Sequence, residues 1–194
     1  MPFFMLNHVA NSANEDYCFI PTGPRGGELT AYNLKVGKRV ADKYPGGIGD
    51  VTLQLGEDYP GLELTSYIGN TNSMLVVDKR TAAIVQAHNV GEIEVIPFKL
   101  LNHKGRVHST DYVFLNPIGW IDCLDKDRTL FDRKDNGTIV RVNKPVLASA
   151  KLHGVPDLFR IQEMLSRYVF SEVLVADLRE KGCTNFVFEK LEQV

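Results

Sequence analysis

Alternation of apolar and polar positions recurs along the chain and predicts a structure rich in β-strands. Three segments alternate with the two-residue period of a half-buried strand, and two others are short continuous apolar runs. These segments are residues 51–55, 92–96 and 138–142, and residues 112–115 and 118–124. Asn136-Gly137 stands between two apolar pairs and predicts a hairpin turn, because a type I′ turn requires positive φ at both central residues.

Two segments have the pattern of a capped helix that follows a strand. Asp78 is a favourable N-cap before a helix that ends near Asn89, and Ser171 is the equivalent residue before a helix that ends at Gly182. The two caps lie 93 positions apart, and a strand follows each helix. This echo fits an ancient duplication, but it also fits two unrelated strand–helix–strand units within one α+β protein.

Together these elements predict an α+β fold with a mostly antiparallel, strand-rich sheet and two or three packed helices. The chain has 194 residues, which at ~150 residues per domain predicts a single domain spanning residues 1–194. Apolar residues make up 44% and charged residues 24% of the chain, a composition that excludes disordered, collagen-like and coiled-coil proteins.

The charge balance and the cysteines narrow the function classes. Lys and Arg number 22 against 24 Asp and Glu, a net charge of −2, whereas a dedicated nucleic-acid-binding domain is normally basic. Three widely spaced cysteines without a Cys-x-x-Cys pair favour a reducing compartment over a zinc ribbon or a thioredoxin-type site. No basic leader and no apolar run of ~18 residues occurs, so we expect a cytoplasmic protein that binds neither nucleic acid nor a membrane.

The strongest enzymatic candidate is the segment 121–130, an apolar run that ends in Asp-x-Asp-x-Thr-Leu. It resembles the first motif of the haloacid dehalogenase-type phosphatases, and the resemblance implies that Asp125 attacks phosphorus, Asp127 is the general acid/base and Mg²⁺ offsets their charge. Arg128 stands where that family has glycine, and only 65 residues follow Thr129, which leaves little room for the family's later motifs. The competing interpretation is a polar turn that an Asp side chain caps.

Two further candidate sites depend on a proximity that the sequence does not establish. His103 or His108 would activate Cys123 as a nucleophile only if the thiolate lay beside an imidazole, and no further metal ligands accompany the two histidines. Trp120 and Tyr112 would line a pocket for a small molecule. We favour the simpler interpretations, which are surface histidines, a core cysteine and core aromatic residues.

Short motifs in the second half of the chain are shared with a known family. They are Phe-Leu-Asn at 114–116, Ile-Asp-Cys-Leu-Asp at 121–125, Leu-Phe-Arg-Ile at 158–161, Ser-Glu at 171–172 and a closing apolar run at 186–188. With this pattern, residues 70–194 resemble the eleventh family of bacterial immunity proteins, whereas residues 1–70 are divergent. The same family offers a second origin for the segment that contains Asp125.

The resemblance implies a protein without catalysis, cofactor or metal that binds a cognate protein toxin and blocks it. An immunity protein against a nuclease is often strongly acidic, so a net charge of −2 leaves the toxin class open. The family motifs are mostly apolar and specify a fold rather than an interface, and the oligomeric state also stays open. We therefore assign partner contacts only from expected loop exposure, to Arg25, Lys126, Asp127, Arg128 and Arg133.

Overall fold

A computed structural model describes all 194 residues and confirms the α+β class, with sixteen strands and three α-helices. The helices are α1 (Val40–Lys43), α2 (Lys79–Gln86) and α3 (Glu172–Glu180). The strands are β1 (Phe3–Leu6), β2 (Phe19–Ile20), β3 (Thr52–Gln54), β4 (Gly69–Asn70), β5 (Val76–Asp78), β6 (Ile93–Pro97), β7 (Lys99–Leu101), β8 (Val107–Ser109), β9 (Tyr112–Pro117), β10 (Leu130–Arg133), β11 (Ile139–Lys144), β12 (Val146–Leu147), β13 (Leu158–Ile161), β14 (Met164–Ser171), β15 (Phe188–Lys190) and β16 (Glu192–Gln193). None of the helices has the length and apolar character needed to cross a membrane.

The strands are divided among six sheets, and most of their pairings are antiparallel, as the sequence predicts. The largest sheet has the order β13-β14-β1-β15, and two three-stranded sheets have the orders β5-β9-β6 and β3-β7-β8. Strands β10 and β11 form the hairpin that Asn136-Gly137 predicts. The type I′ turn is not formed, because Gly137 has φ 80° but Asn136 does not have positive φ, and residues 134–138 make a five-residue loop in which the Lys134 N–H donates to the Thr138 carbonyl (3.0 Å). The apolar run 118–124 is not a strand, which corrects the sequence-based expectation, because it makes only single bridges at Ile121 and Leu124.

The two capped helices belong to units that share one spatial strand order and one register, although the central strand comes last in the first unit and first in the second along the chain. Strands β5 and β6 flank β9 and join through α2, while β14 and β15 flank β1 and join through α3. Asp78 lies opposite Tyr112 and Ser171 lies opposite Phe3, so each cap residue faces an aromatic residue of the central strand. The 93-position offset relates β5 to β14 and β6 to β15, whereas the central strands β9 and β1 are 109 positions apart in the opposite direction. The echo in the sequence therefore corresponds to two equivalent local folds.

A side-chain cap begins each helix, and a shared core joins the two units. The Asp78 carboxylate accepts a hydrogen bond from the Thr81 N–H (2.6 Å), and the Ser171 hydroxyl accepts one from the Leu174 N–H (3.2 Å). Helices α2 and α3 pack together over one of three apolar cores. Between them, His88 Nε2 lies 2.9 Å from Asp177 Oδ2, so the helices are also joined by a polar contact.

Candidate partner-binding surfaces

The partner contacts expected from the sequence lie in two separate places. Arg25 pairs through its backbone with Thr52, beside β3, and its side chain reaches Gln54 Oε1 at 3.4 Å. Lys126, Asp127 and Arg128 form the turn that leads into β10, and Arg133 closes the β10–β11 hairpin by donating to the Gly137 carbonyl (3.1 Å). Arg25 therefore belongs to a different sheet from the other four, which share one exposed segment.

The Asp125 side chain caps its own turn. Its Oδ1 accepts hydrogen bonds from the backbone N–H groups of Asp127 and Arg128, both at 3.0 Å, and Asp127 is exposed. Nowhere in the chain do three or more His, Cys, Asp or Glu side chains converge as a metal site would require. The geometry is that of the polar turn, the competing interpretation of this segment.

The other candidate pairs are not brought together. His103 lies at the surface, where its Nε2 contacts the Tyr59 carbonyl (2.9 Å), whereas Cys123 is fully buried in one of the three apolar cores. Burial raises the pKa of the Cys123 thiol to about 12, so it is protonated at neutral pH. Tyr112 is a core residue that donates to the Thr65 carbonyl (2.7 Å), while Trp120 is exposed, so these two aromatic side chains do not line one pocket.

Trp120 lies instead in an open groove of about 880 Å³, which we call the Trp120 groove and define by Tyr32, Lys38, Lys43, Trp120 and Leu165. Tyr32 is 71% exposed and Trp120 is 45% exposed. The groove carries charges of both signs. Asp42 lies beside the two lysines, and Arg39 forms an ion pair with Glu92 at the rim.

The floor of the Trp120 groove rests on Arg160, whose side chain is completely buried. Its guanidinium donates to the carbonyls of Leu34 (2.8 Å) and Pro117 (3.0 Å) and to that of Leu165, and it lies over the Tyr168 ring at 4.5 Å. A buried charge requires such complete hydrogen bonding. Arg160 thus fastens the loop before α1 to the end of β9 and to β14.

The neutral side chain of Asn116 lies between Arg160 and the Glu94 carboxylate and hydrogen-bonds to both. Asn116 Oδ1 accepts a hydrogen bond from Arg160 (3.1 Å), and its amide donates to Glu94 Oε2 (3.0 Å). Glu94 in turn accepts the backbone N–H groups of Val40 and Ala41 at the start of α1. The positive and negative charges beneath the groove therefore balance, and the groove floor does not present a net charge.

A second exposed surface, which we call the acidic face, is formed by the loops 11–19 and 56–64. Its charged side chains are all acidic and exposed, namely Glu15, Asp16, Glu57, Asp58 and Glu63. None of the five takes part in an ion pair of the structure. Three apolar or aromatic side chains are exposed among them, Tyr59, Leu62 and Leu64.

Backbone contacts hold the two loops of the acidic face together. The Glu63 N–H donates to the Asp16 carbonyl (2.8 Å), and the Cys18 N–H donates to the Glu63 carbonyl (2.9 Å). Glycine is required at position 61, because a Cβ there would lie 2.3 Å from the Tyr17 carbonyl oxygen. The loops also enclose a cavity of about 300 Å³. The acidic face is therefore a fixed surface rather than two independent loops.

The acidic face also raises the pKa of the Cys18 thiol, which lies beneath it. Cys18 is buried, and burial together with the Glu63 carboxylate raises its pKa to about 11. The Cys18 Sγ donates to the Gly61 carbonyl at 3.5 Å, which places it under the loop 56–64. Cys18 is therefore a packing residue of this surface and not a nucleophile at neutral pH.

The sequence reasoning missed the acidic face, although the sequence contains a signal for it. Residues 1–24 and 44–78 contain no Lys or Arg, and together they carry seven acidic residues. An overall charge near zero conceals this segregation. Only the fold shows that the two cation-free segments pack side by side.

Comparison with known proteins gives one finding for the chain. The model of the Immunity protein family (Imm11) matches residues 34–193, which include both capped helices, the 56–64 loop of the acidic face and the Trp120 groove except for Tyr32. The comparison with curated proteins finds no significant match.

Proposed function

The chain belongs to the Immunity protein family (Imm11), and on that premise we propose that it binds a cognate protein toxin and blocks it without catalysis. The observation that carries the proposal is the family match over residues 34–193. The toxin would be one used in competition between bacteria, and the immune cell would hold the complex in its cytoplasm. All three cysteines are unpaired, which supports a reducing compartment.

Inhibition by binding requires a rigid scaffold with exposed anchor residues, and both features are present. Three separate apolar cores support the loops. Large exposed apolar or aromatic side chains such as Leu62, Trp120 and Leu130 can fill pockets on a partner. Charged side chains around such anchors accelerate association and select the partner. These are properties of a binding protein, and none of them requires a reactive group.

The alternative function, a magnesium-dependent phosphatase that uses Asp125 and Asp127, receives no support from the geometry. Asp125 Oδ1 already accepts two backbone hydrogen bonds within its own turn. If the protein neutralises its toxin by binding, Asp125→Asn with Asp127→Asn should leave protection intact, because an Asn side chain also caps such turns. Loss of a measured phosphatase activity in the same variant would instead favour the enzyme.

The proposed function is tested by co-expressing the chain with each toxin-domain protein that a neighbouring gene encodes. We expect the toxin alone to stop growth of the host cells, the intact chain to restore it, and the two purified proteins to elute as one complex in size-exclusion chromatography. An unrelated immunity protein of similar size provides the control. Growth arrest in the presence of the intact, folded chain would contradict the proposal.

A further inference from the structure

We propose that the acidic face is the surface that docks the toxin, and that the region of the toxin it covers is basic. This inference rests on the proposed function and adds to it the location of the interface and the chemistry of the partner. Its anchors are Tyr59, Leu62 and Leu64, and the five carboxylates of the acidic face surround them.

The apolar side chains give the acidic face its capacity to bind a protein. Leu62 is 66% exposed, and Tyr59 and Leu64 are each 37% exposed, so three large side chains meet solvent within six consecutive residues. Holding them in water costs free energy that a partner would recover by covering them. The hydrogen bonds between the two loops hold these side chains in place before binding, which lowers the entropy lost on association.

The charges around these anchors specify the partner. The five carboxylates contribute −5 to a net charge of −2, so the remaining residues sum to +3. At the rim, Arg25 shares a cleft with Glu57, and His103 Nε2 lies 2.9 Å from the Tyr59 carbonyl. A surface of one sign attracts an oppositely charged partner and repels others, so the occupant that fits is a Lys- and Arg-rich region of the toxin.

The Trp120 groove does not specify a partner in this way. Lys38 and Lys43 lie beside Asp42, and Arg39 is paired with Glu92 at the rim. A surface of mixed sign attracts neither a basic nor an acidic partner strongly. The charge pattern therefore places the toxin on the acidic face.

Charge reversal tests the proposal with a matched control. Glu57→Lys with Asp58→Lys reverses two charges of the acidic face, and Glu180→Lys with Glu189→Lys reverses two exposed, unpaired carboxylates elsewhere. The probe is the toxin identified by the co-expression test, in a variant that no longer stops growth, and surface plasmon resonance measures its affinity for the chain and its association rate. We expect the acidic-face variant to lose about 100-fold in affinity and at least about 10-fold in association rate, and the control to stay within about 3-fold of the wild type.

A second pair of variants tests the anchors without changing charge. Leu62→Ser should weaken toxin binding by about 10-fold or more, whereas Val173→Ser, at a residue 53% exposed on α3, should leave it unchanged. Circular dichroism checks that each variant is folded. If the charge-reversal variant does not fold, the Leu62→Ser variant still decides the question.

The outcomes separate this inference from the proposed function. If the wild-type chain neither binds nor protects against the toxin, the proposed function fails and the inference fails with it. If the wild type binds and both acidic-face variants bind equally well, the inference alone is overturned. A loss confined to variants of the Trp120 groove or of the 126–133 segment would also overturn it, since the interface would then lie there.

Discussion

The acidic face and the Trp120 groove are both open surfaces with exposed aromatic side chains, but they differ in charge and in support. The acidic face carries five unpaired carboxylates on loops held by backbone hydrogen bonds. The groove carries mixed charges above the buried Arg160. One surface can therefore change its charge without disturbing a core, whereas the other depends on a buried charge that the fold requires.

This difference shows that net charge is a poor guide to the charge of individual surfaces in a small protein. A sum of −2 suggests a surface without electrostatic preference, yet the chain concentrates acidic residues in two segments that lack cations. When the fold brings such segments together, their field is local and strong even though distant cations balance it. The relevant quantity is the charge of each face.

The largest effect on stability should come from the support of the groove. Arg160→Met removes the guanidinium donors to the buried carbonyls of Leu34 and Pro117, of which Leu34 retains the Tyr168 hydroxyl at 3.5 Å, and we expect the free energy of unfolding to fall by about 3 kcal/mol or more. Urea denaturation measures this. Arg39→Met, which removes an exposed ion pair, should cost at most about 1 kcal/mol.

Charge reversal on the acidic face should leave stability almost unchanged, in contrast to Arg160→Met. Glu57→Lys with Asp58→Lys should change the free energy of unfolding by less than about 0.5 kcal/mol, because neither carboxylate makes an ion pair. Unfolding of this variant at clearly lower urea than the wild type would contradict the view that the acidic face is independent of the core.

The segment predicted from the sequence as a partner contact provides an intermediate case. Lys126, Asp127, Arg128 and Arg133 carry charges of both signs, so we expect them to contribute at most at the edge of a complex. Arg128→Glu with Arg133→Glu should weaken toxin affinity by no more than about 5-fold, measured against the acidic-face variant in the same experiment. A loss larger than that of the acidic-face variant would reverse the ranking of the two surfaces.

The smallest expected effect is the contribution of the Asp177 carboxylate to the pH dependence of stability. Hydrogen bonds from His88 and Lys181 lower the pKa of Asp177. A carboxyl group whose folded pKa is lowered adds stability above its unfolded pKa of about 3.9, and this stability is lost as the pH falls through the folded value. We therefore expect the urea concentration at the unfolding midpoint of the wild type to decrease when the pH is lowered below about 4. The decrease should be smaller for Asp177→Asn. If both fall equally, Asp177 does not link α2 to α3.

The sequence predicted those parts of the fold that depend on neighbouring residues. The caps at Asp78 and Ser171, the hairpin at Asn136-Gly137 and the α+β class follow from local patterns and are confirmed. The type I′ turn predicted for that hairpin is wrong, because Asn136 does not have positive φ. The apolar run 118–124 predicts a strand, and this prediction is wrong, because apolar character alone does not supply a partner strand and the run makes only isolated bridges.

The features that matter most for the two surfaces depend on distant contacts. Arginine is usually a surface residue, and Arg160 is buried because the carbonyls of residues 34, 117 and 165 accept hydrogen bonds from its guanidinium. Likewise, the cation-free segments are visible in the sequence, but their adjacency depends on Gly61 approaching the Tyr17 backbone. Neither contact has a local signature.

Hydrogen–deuterium exchange of the chain with and without its toxin tests the central claim most directly. We expect the toxin to slow exchange of backbone amides in the loops 11–19 and 56–64, while amides of the Trp120 groove and of the β10–β11 hairpin exchange at unchanged rates. A stable complex in which those two loops exchange as fast as in the free protein would contradict the account.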